Sequence, residues 1–229
     1  MAKKPLTIIL LESALELVPV EIVNHPAVIK NAVRRKKKPL ETLLDTSLHY
    51  HAMKNLRDRE KRGRPDIVHV SLLEALESPL NKEGLLKIVV HTYPGHVIFI
   101  KPETRLPRNY NRFVGLMEQL LTTGKVPPDS DDPLMYVKTI PLEDVLNSLR
   151  VNGLIILREN APRKKPIEIV EEALRENLAV GIGGFPHGDF SEYVLKLSSK
   201  QYSIYDKPLT TWIVVSRIIT ATEQYYGII

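Results

Sequence analysis

The sequence predicts an α/β protein built on a largely parallel sheet, and three observations carry that expectation. Residues 6–11 (LTIILL) form a continuous apolar run, the pattern of a strand buried on both faces. From residue 142 onward, helical and strand patterns alternate, which argues for parallel strands joined by crossover helices. At 229 residues and 26.0 kDa, the chain is long enough to bury one substantial core with a subdomain attached. No internal repeat or long low-complexity segment interrupts it.

After the first strand, HPAVIKNAVRRKKKP reads as a helix opening at Pro26 and ending in the basic cluster 34–38. Cations at a helix C-terminus suit its dipole, so capping and solubility account for that cluster. Leu40, Leu43, Leu44 and Leu48 follow at helical spacing and predict an amphipathic helix reaching about Leu56. The segment RDREKRGRPD is too charged for a core and is read as an exposed, mobile loop. Ile67, Leu72, Leu73 and Leu76 predict a helix closed by Ser78-Pro79. Runs 85–92 and 97–101 flank Tyr93-Pro-Gly-His96, a hairpin signal. A helix is expected from about Asn109, and the Pro- and Asp-rich stretch 126–133 then marks a surface connection. The second half gives a helix near 142–149, a strand at 154–157, a helix from Pro166 to about Asn177 and a strand at 178–182. A closing helix from about Thr210 to Tyr226 carries Ile213, Ile218 and Ala221 on one side.

Composition narrows the function classes. Hydrophobic content of 43% and charged content of 26% are those of an ordinary globular protein. A net charge of +5 is compatible with a polyanionic partner without requiring one. The absence of cysteine excludes disulfides, thiolate metal sites and cysteine nucleophiles. No apolar run approaches the roughly 18 residues of a membrane span, and the first residues turn polar too quickly for a signal peptide. An intracellular, cytoplasmic protein without membrane attachment is the expectation. The seven histidines do not cluster, and His49 and His51 lack the i, i+4 spacing that holds zinc, so no metal site is expected.

Three constellations carry candidate chemistry. In TRLPRNYNRFVGLMEQLL, Arg105, Arg108 and Arg112 precede or enter a helix, whose free N–H groups favour anions. Phosphate suits that geometry because arginine offers a planar, permanently charged fork of donors, while a solvated basic surface is the alternative. In Gly63-Arg64-Pro65-Asp66 the proline restrains its neighbours. Asp66 there either caps the next helix or accepts a hydrogen bond or proton from a bound base. The third is GIGGFPHG, with four glycines at 181, 183, 184 and 188 directly after a predicted strand. It is either a tight turn or a close-approach ligand wall, and it matches neither the dinucleotide nor the Walker pattern. In that loop His187 is expected to make a structural hydrogen bond. A companion loop, SIYDKPL at 203–209, leads into the last helix. Together the two loops would frame a cleft at strand ends.

Taken together, RPDIVHVSLLEALESPLNKEGLL, TRLPRNYNRFVGLMEQLL, GGFPHG and SIYDKPLTTW strongly resemble the SPOUT-class methyltransferases that modify N1 of a pseudouridine in small-subunit ribosomal RNA. These essential-for-mitotic-growth proteins act in ribosome biogenesis, and the likeness is to an archaeal-type member and covers most of the chain. It implies a single SPOUT domain over 1–229, with helices on both sheet faces and a β-hairpin and helical insertion. Segments at about 57–125 would bind RNA, and a C-terminal trefoil knot at about 150–229 would enclose S-adenosylmethionine in a homodimer. Matched position by position, cofactor contacts would come from Leu157, Gly183, Gly188, Ile204, Tyr205, Asp206, Lys207, Pro208 and Leu209. RNA contacts would come from Arg64, Arg105, Arg108 and Arg112, with Asp66 as the candidate for orienting the base or taking its proton. The chain departs from the usual form at Tyr205-Asp206-Lys207, where small or neutral residues are common. The alternative is an RNA-binding assembly factor for which binding, not turnover, is the main task.

Overall fold

The computed structural model describes residues 3–229. Its strands are β1 (Leu6–Ser13), β2 (Leu86–Thr92), β3 (His96–Ile100), β4 (Lys125–Val126), β5 (Met135–Thr139), β6 (Gly153–Leu157), β7 (Leu178–Gly183) and β8 (Lys200–Tyr202). Its helices are α1 (Pro26–Arg34), α2 (Thr46–His49), α3 (Pro65–Glu77), α4 (Pro79–Lys82), α5 (Tyr110–Thr123), α6 (Leu142–Leu149), α7 (Pro166–Glu176), α8 (Glu192–Leu197) and α9 (Thr211–Tyr225). The strands form one 8-stranded sheet in the order β4-β5-β3-β2-β1-β7-β6-β8. Strands β2, β1, β7, β6 and β8 run parallel, and β3, β5 and β4 add an antiparallel wing.

Strand β1 explains why its sequence is apolar without alternation. Ile8 and Leu10 face a core with α3, α5, α7 and α9, while Ile9 and Leu11 face a second core with α6 and α8. Every residue of the strand is buried, as a central parallel strand covered on both sides requires. Proline opens α1, α3, α4 and α7, where its missing N–H costs nothing. A third, smaller cluster (Val18, Ile22, Val28, Leu44, Ala52, Met53 and Leu56) gives the segment after β1 its own core.

The structure corrects several expectations. The helix predicted from Leu40 to about Leu56 is instead a series of short turns, with α2 only four residues long. Backbone pairing competes with it: Val18 N–H bonds Thr42 O, Leu44 N–H bonds Glu16 O, and Leu43 bridges Leu17. The charged loop 57–66 is not freely exposed, because Arg62 is buried and both its Nε and Nη2 reach Glu16 at 2.7 Å. In cluster 34–38, Arg35 and Lys37 pair with the buried Glu118 of α5. On α9 Ile218 and Ala221 are buried as expected, with Val215, Ile219 and Thr222, but Ile213 is exposed. Strands β4, β5 and β8 and helices α4 and α8 escaped the sequence reading: β8 is three half-buried residues, short of an apolar run.

Candidate active site

The parallel strands end together on one side of the sheet. Leu11 sits beside Gly183, and Leu157 lies between Ile182 and Tyr202. Beyond these ends lies a cavity of 530 Å³, the size class of small-molecule sites. The chain leaves β1 toward β2 on one side, while β7 and β6 lie on the other, so the cavity sits where ligands gather in open α/β sheets.

Each wall has a local cause. The glycine-rich loop is stitched to β1: Gly184 N–H bonds Leu11 O, and Ala14 N–H bonds Gly184 O, both at 2.8 Å. A Cβ at Gly184 would meet Ser13 Oγ at 2.2 Å and Ser13 Cα at 2.9 Å, so only glycine allows that approach. Gly188 turns the loop at φ +94°, a left-handed conformation that a side chain disfavours. Across the cavity, Ser203 is pinned by Pro162 O and donates its hydroxyl to Tyr205 O at 2.7 Å. Thr211 Oγ1 donates to Gly183 O at 2.7 Å, which sets the N-terminus of α9 against the end of β7. The cap residue Thr210 makes no side-chain capping bond, and Thr210, Thr211 and Trp212 at the start of α9 border the cavity.

Leu157, Gly183, Gly188, Ile204, Tyr205, Lys207, Pro208 and Leu209 all border this cavity. Asp206 does not; it accepts from Arg163 Nη1 at 2.6 Å. His187 stands exposed on the rim instead of being tied by the expected structural hydrogen bond. Arg158 was missed: it follows β6 directly, donates to Gln201 at 3.0 Å and pairs with Asp189. Its Nε is the one buried side-chain donor without a partner among the described residues. Trp212 was missed too, although its place just inside the last helix was visible.

Arg64 lies between the cavity and Tyr110, the first residue of α5. It borders the cavity, and its Nε and Nη2 each donate to one Asp66 oxygen at 2.8 Å. That bond holds the guanidinium still further above its usual pKa range. Asp66 therefore does not cap α3, whose N-cap is Arg64 itself, and both its oxygens are engaged. Alongside, Tyr110 at the start of α5 donates its hydroxyl to Asp45 at 2.7 Å. Burial first, and then the Asp45 bond, push that hydroxyl far above the usual range, so it stays a neutral donor. Asp45 also caps α2 through Ser47 N–H at 2.8 Å, so the starts of α2 and α5 meet at this carboxylate.

The other arginines lie outside the cavity, in and after a loop fastened to α3. His69 Nε2 is 2.7 Å from Pro107 O, and its ring stacks on Phe113 at 4.2 Å. Arg105, Arg108 and Arg112 are all exposed, and the Arg108 side chain is 84% exposed with Glu77 4.0 Å away. The first turn of α5 is not wholly free for an anion, because Asn109 accepts from Arg112 N–H at 3.1 Å. Among the described residues no group of acidic and histidine side chains forms a metal cage. His49 is buried and bound to Asn31 at 3.2 Å and to Asp45 N–H at 3.1 Å, which makes it structural.

A sheet with a parallel centre and a glycine-walled cavity at its carboxyl edge, together with a loop of exposed arginines, defines an α/β protein with a site of small-molecule size. The chain belongs to the EMG1/NEP1 methyltransferase family, whose model matches residues 8–223. It is 67% identical to the ribosomal RNA small subunit methyltransferase Nep1 of Staphylothermus marinus, over 99% of each chain. Identity to the protein of that name from Saccharolobus solfataricus is 51%, over 97% of this chain and 98% of the relative. Among solved structures it resembles Archaeoglobus fulgidus Nep1 bound to S-adenosylhomocysteine. That likeness has a TM-score of 0.87 and 41% identity, over 97% of this chain and 99% of the other.

Proposed function

We propose that this protein methylates N1 of a pseudouridine in small-subunit ribosomal RNA, with S-adenosylmethionine as donor, during small-subunit biogenesis in the cytoplasm. The observation that carries the reading is the position of Arg64, which lines the cavity and lies near Tyr110, the first residue of the helix that carries Arg112. A methyl donor and an RNA nucleoside must meet at one point, and Arg64 is the one of the four candidate RNA-binding arginines that borders the cavity.

The cavity fits such a cofactor. Gly188 and Gly183 leave the wall without Cβ atoms, and Ile204, Leu209 and Trp212 give it apolar lining. Backbone groups of Ile204, Tyr205, Lys207, Pro208 and Leu209 and the start of α9, which lacks a side-chain cap, offer polar contacts. When bound, the cofactor supplies an electrophilic methyl group on sulfur. The protein's own residues do the rest. Arg64, oriented by Asp66, offers its remaining donors to charge growing on a uracil oxygen as N1 gives its proton to solvent water and its lone pair takes the methyl group. Arg105, Arg108 and Arg112 hold phosphates and position the nucleoside, and position supplies much of the rate. The base must leave any stack to reach the cavity, so an unpaired loop is the expected substrate.

Two structural expectations complete the reading. A SPOUT-type trefoil knot is supported by the return of the chain from β8, at the sheet edge, across the end of β6 to Gly183 through Thr211. A homodimer is supported by exposed apolar side chains Val70 on α3 and Ile213 on α9, on two helices that pack together. Transfer of a tritiated methyl group to an RNA hairpin and to its pseudouridine twin tests the function. Label is expected in the pseudouridine hairpin only. Equal labelling overturns the base specificity, and no label in either RNA overturns the enzymatic reading.

A further inference from the structure

We infer that Lys61 and Glu12, neither of which borders the cavity, are positioning residues that fix the glycine-rich wall in its cofactor-binding shape. The inference rests on the cofactor reading above.

Glu12 lies near the end of β1 with φ +47°, a strained left-handed conformation for a non-glycine residue. Its backbone N–H donates to His91 Nδ1 at 3.3 Å, and the residue is buried. The turned backbone aims the carboxylate at the far end of the glycine-rich loop. There it accepts Ser191 N–H at 3.1 Å through Oε2 and 3.2 Å through Oε1. Oε2 also takes Lys61 Nζ at 3.0 Å, and only 11% of the lysine side chain is exposed.

Lys61 in turn touches the loop along its length. Its ammonium lies 4.8 Å from the centre of the Phe185 ring. Its stem runs against Gly188, where an added Cβ would come within 3.2 Å of Lys61 Cε. Through Glu12 it reaches Ser191, which caps α8. Phe185 and Gly188 are both cavity-wall residues, so one side chain braces the near end, the bend and the far end of that wall. A buried ion pair contributes little net stability, since its desolvation offsets its attraction. Its consequence is geometric: a pre-shaped wall saves the entropy of ordering the loop when ligand binds.

The test is calorimetric titration of S-adenosylhomocysteine into wild type, K61R, K61M and the double variant K61M/E12Q. RNA affinity, melting temperature and the kcat and KM for S-adenosylmethionine are measured alongside. Weakened preorganisation predicts that K61M and the double variant lose about tenfold in affinity and gain as much in KM. Their kcat and RNA affinity stay within about twofold, because neither residue reaches reacting atoms. K61R is expected to recover most of the affinity, since a guanidinium both pairs with a carboxylate and lies on an aromatic ring. The double variant leaves no unpaired buried charge, so it stays informative if K61M does not fold. Homocysteine-product binding by the double variant equal to wild type overturns the inference alone. Absence of binding by wild type overturns the cofactor reading, and this inference with it.

Discussion

At the scale of single residues, the pairing of Arg64 with Asp66 decides what the carboxylate can do. Both Asp66 oxygens already accept from one guanidinium, and Asp66 is outside the cavity wall that Arg64 joins. A carboxylate so engaged orients its arginine better than it collects a proton. Asp66→Asn keeps one acceptor and loses the fork. It is expected to raise the KM for RNA about tenfold and to change kcat by less than about threefold, since a charge-assisted bidentate contact is lost while the chemistry is kept. Single-turnover kinetics with saturating RNA checks this. Were Asp66 the proton acceptor, kcat would instead fall by roughly 10²–10⁴. The sequence made the neighbourhood legible, because Pro65 between two charged residues marks a restrained junction. It left the partner open, because capping and pairing use the same carboxylate. Lys61 was beyond reach: nothing local says that a lysine in a charged loop will lie under a glycine 127 positions later (188 − 61).

At the scale of elements, two helices are anchored by charge as much as by apolar packing. Glu118 of α5 is buried and takes Arg35, Lys37 and the Leu43 N–H at 3.0 Å. This locks the basic end of α1 and the 39–44 turn onto the helix whose first turn carries Arg112. Removing one partner of a buried pair leaves uncompensated charge, so Glu118→Ala should cost about 3 kcal/mol. That corresponds to a fall of roughly 6–12 °C in melting temperature for a chain of this size, read by calorimetry. The second anchor holds the edge strand β8 to α7. Burial alone would raise the Glu172 pKa, but hydrogen bonds from Lys164, Lys200 and Tyr202 outweigh it and bring it from 4.5 down to about 2. A depressed carboxylate stabilises the fold above its ordinary value and loses that contribution as pH falls from 4.5 toward 2. Solvent screening at this sheet edge limits the effect to about 1 kcal/mol. Denaturant unfolding should therefore show wild type losing its advantage over Glu172→Gln across that window, and a constant difference would refute the assignment. The helices foreseen from proline starts and apolar stripes were found at α1, α3, α5, α6, α7 and α9. The leucine spacing at 40–48 misled because helical periodicity cannot register a competing backbone pairing with residues 16–18.

At the scale of the whole molecule, the parallel centre was readable because strands covered on both faces must be apolar throughout. The order of strands was not, since register and neighbours are settled by packing between distant segments. That order creates the functional geometry: it brings the ends of β6 and β7, far from residue 64 in sequence, to the cavity that Arg64 borders. The cofactor and RNA surfaces should be separable by mutation. Arg108 is exposed and outside the cavity, so Arg108→Ala is expected to leave S-adenosylhomocysteine affinity unchanged while RNA binding falls. Loss of one phosphate contact to single-stranded RNA should also flatten the dependence of log affinity on log salt by about 0.7. Gly188→Ala places a Cβ at φ +94° and against Lys61, so it should weaken the cofactor analogue and leave that salt slope intact. Filter binding across a salt series, with calorimetry on the same preparations, reads both. In cells that depend on the protein, the pair then separates the two roles. If Gly188→Ala supports growth and ribosome assembly while Arg108→Ala does not, binding outweighs turnover. If both fail alike, the methyl transfer itself is what the small subunit requires.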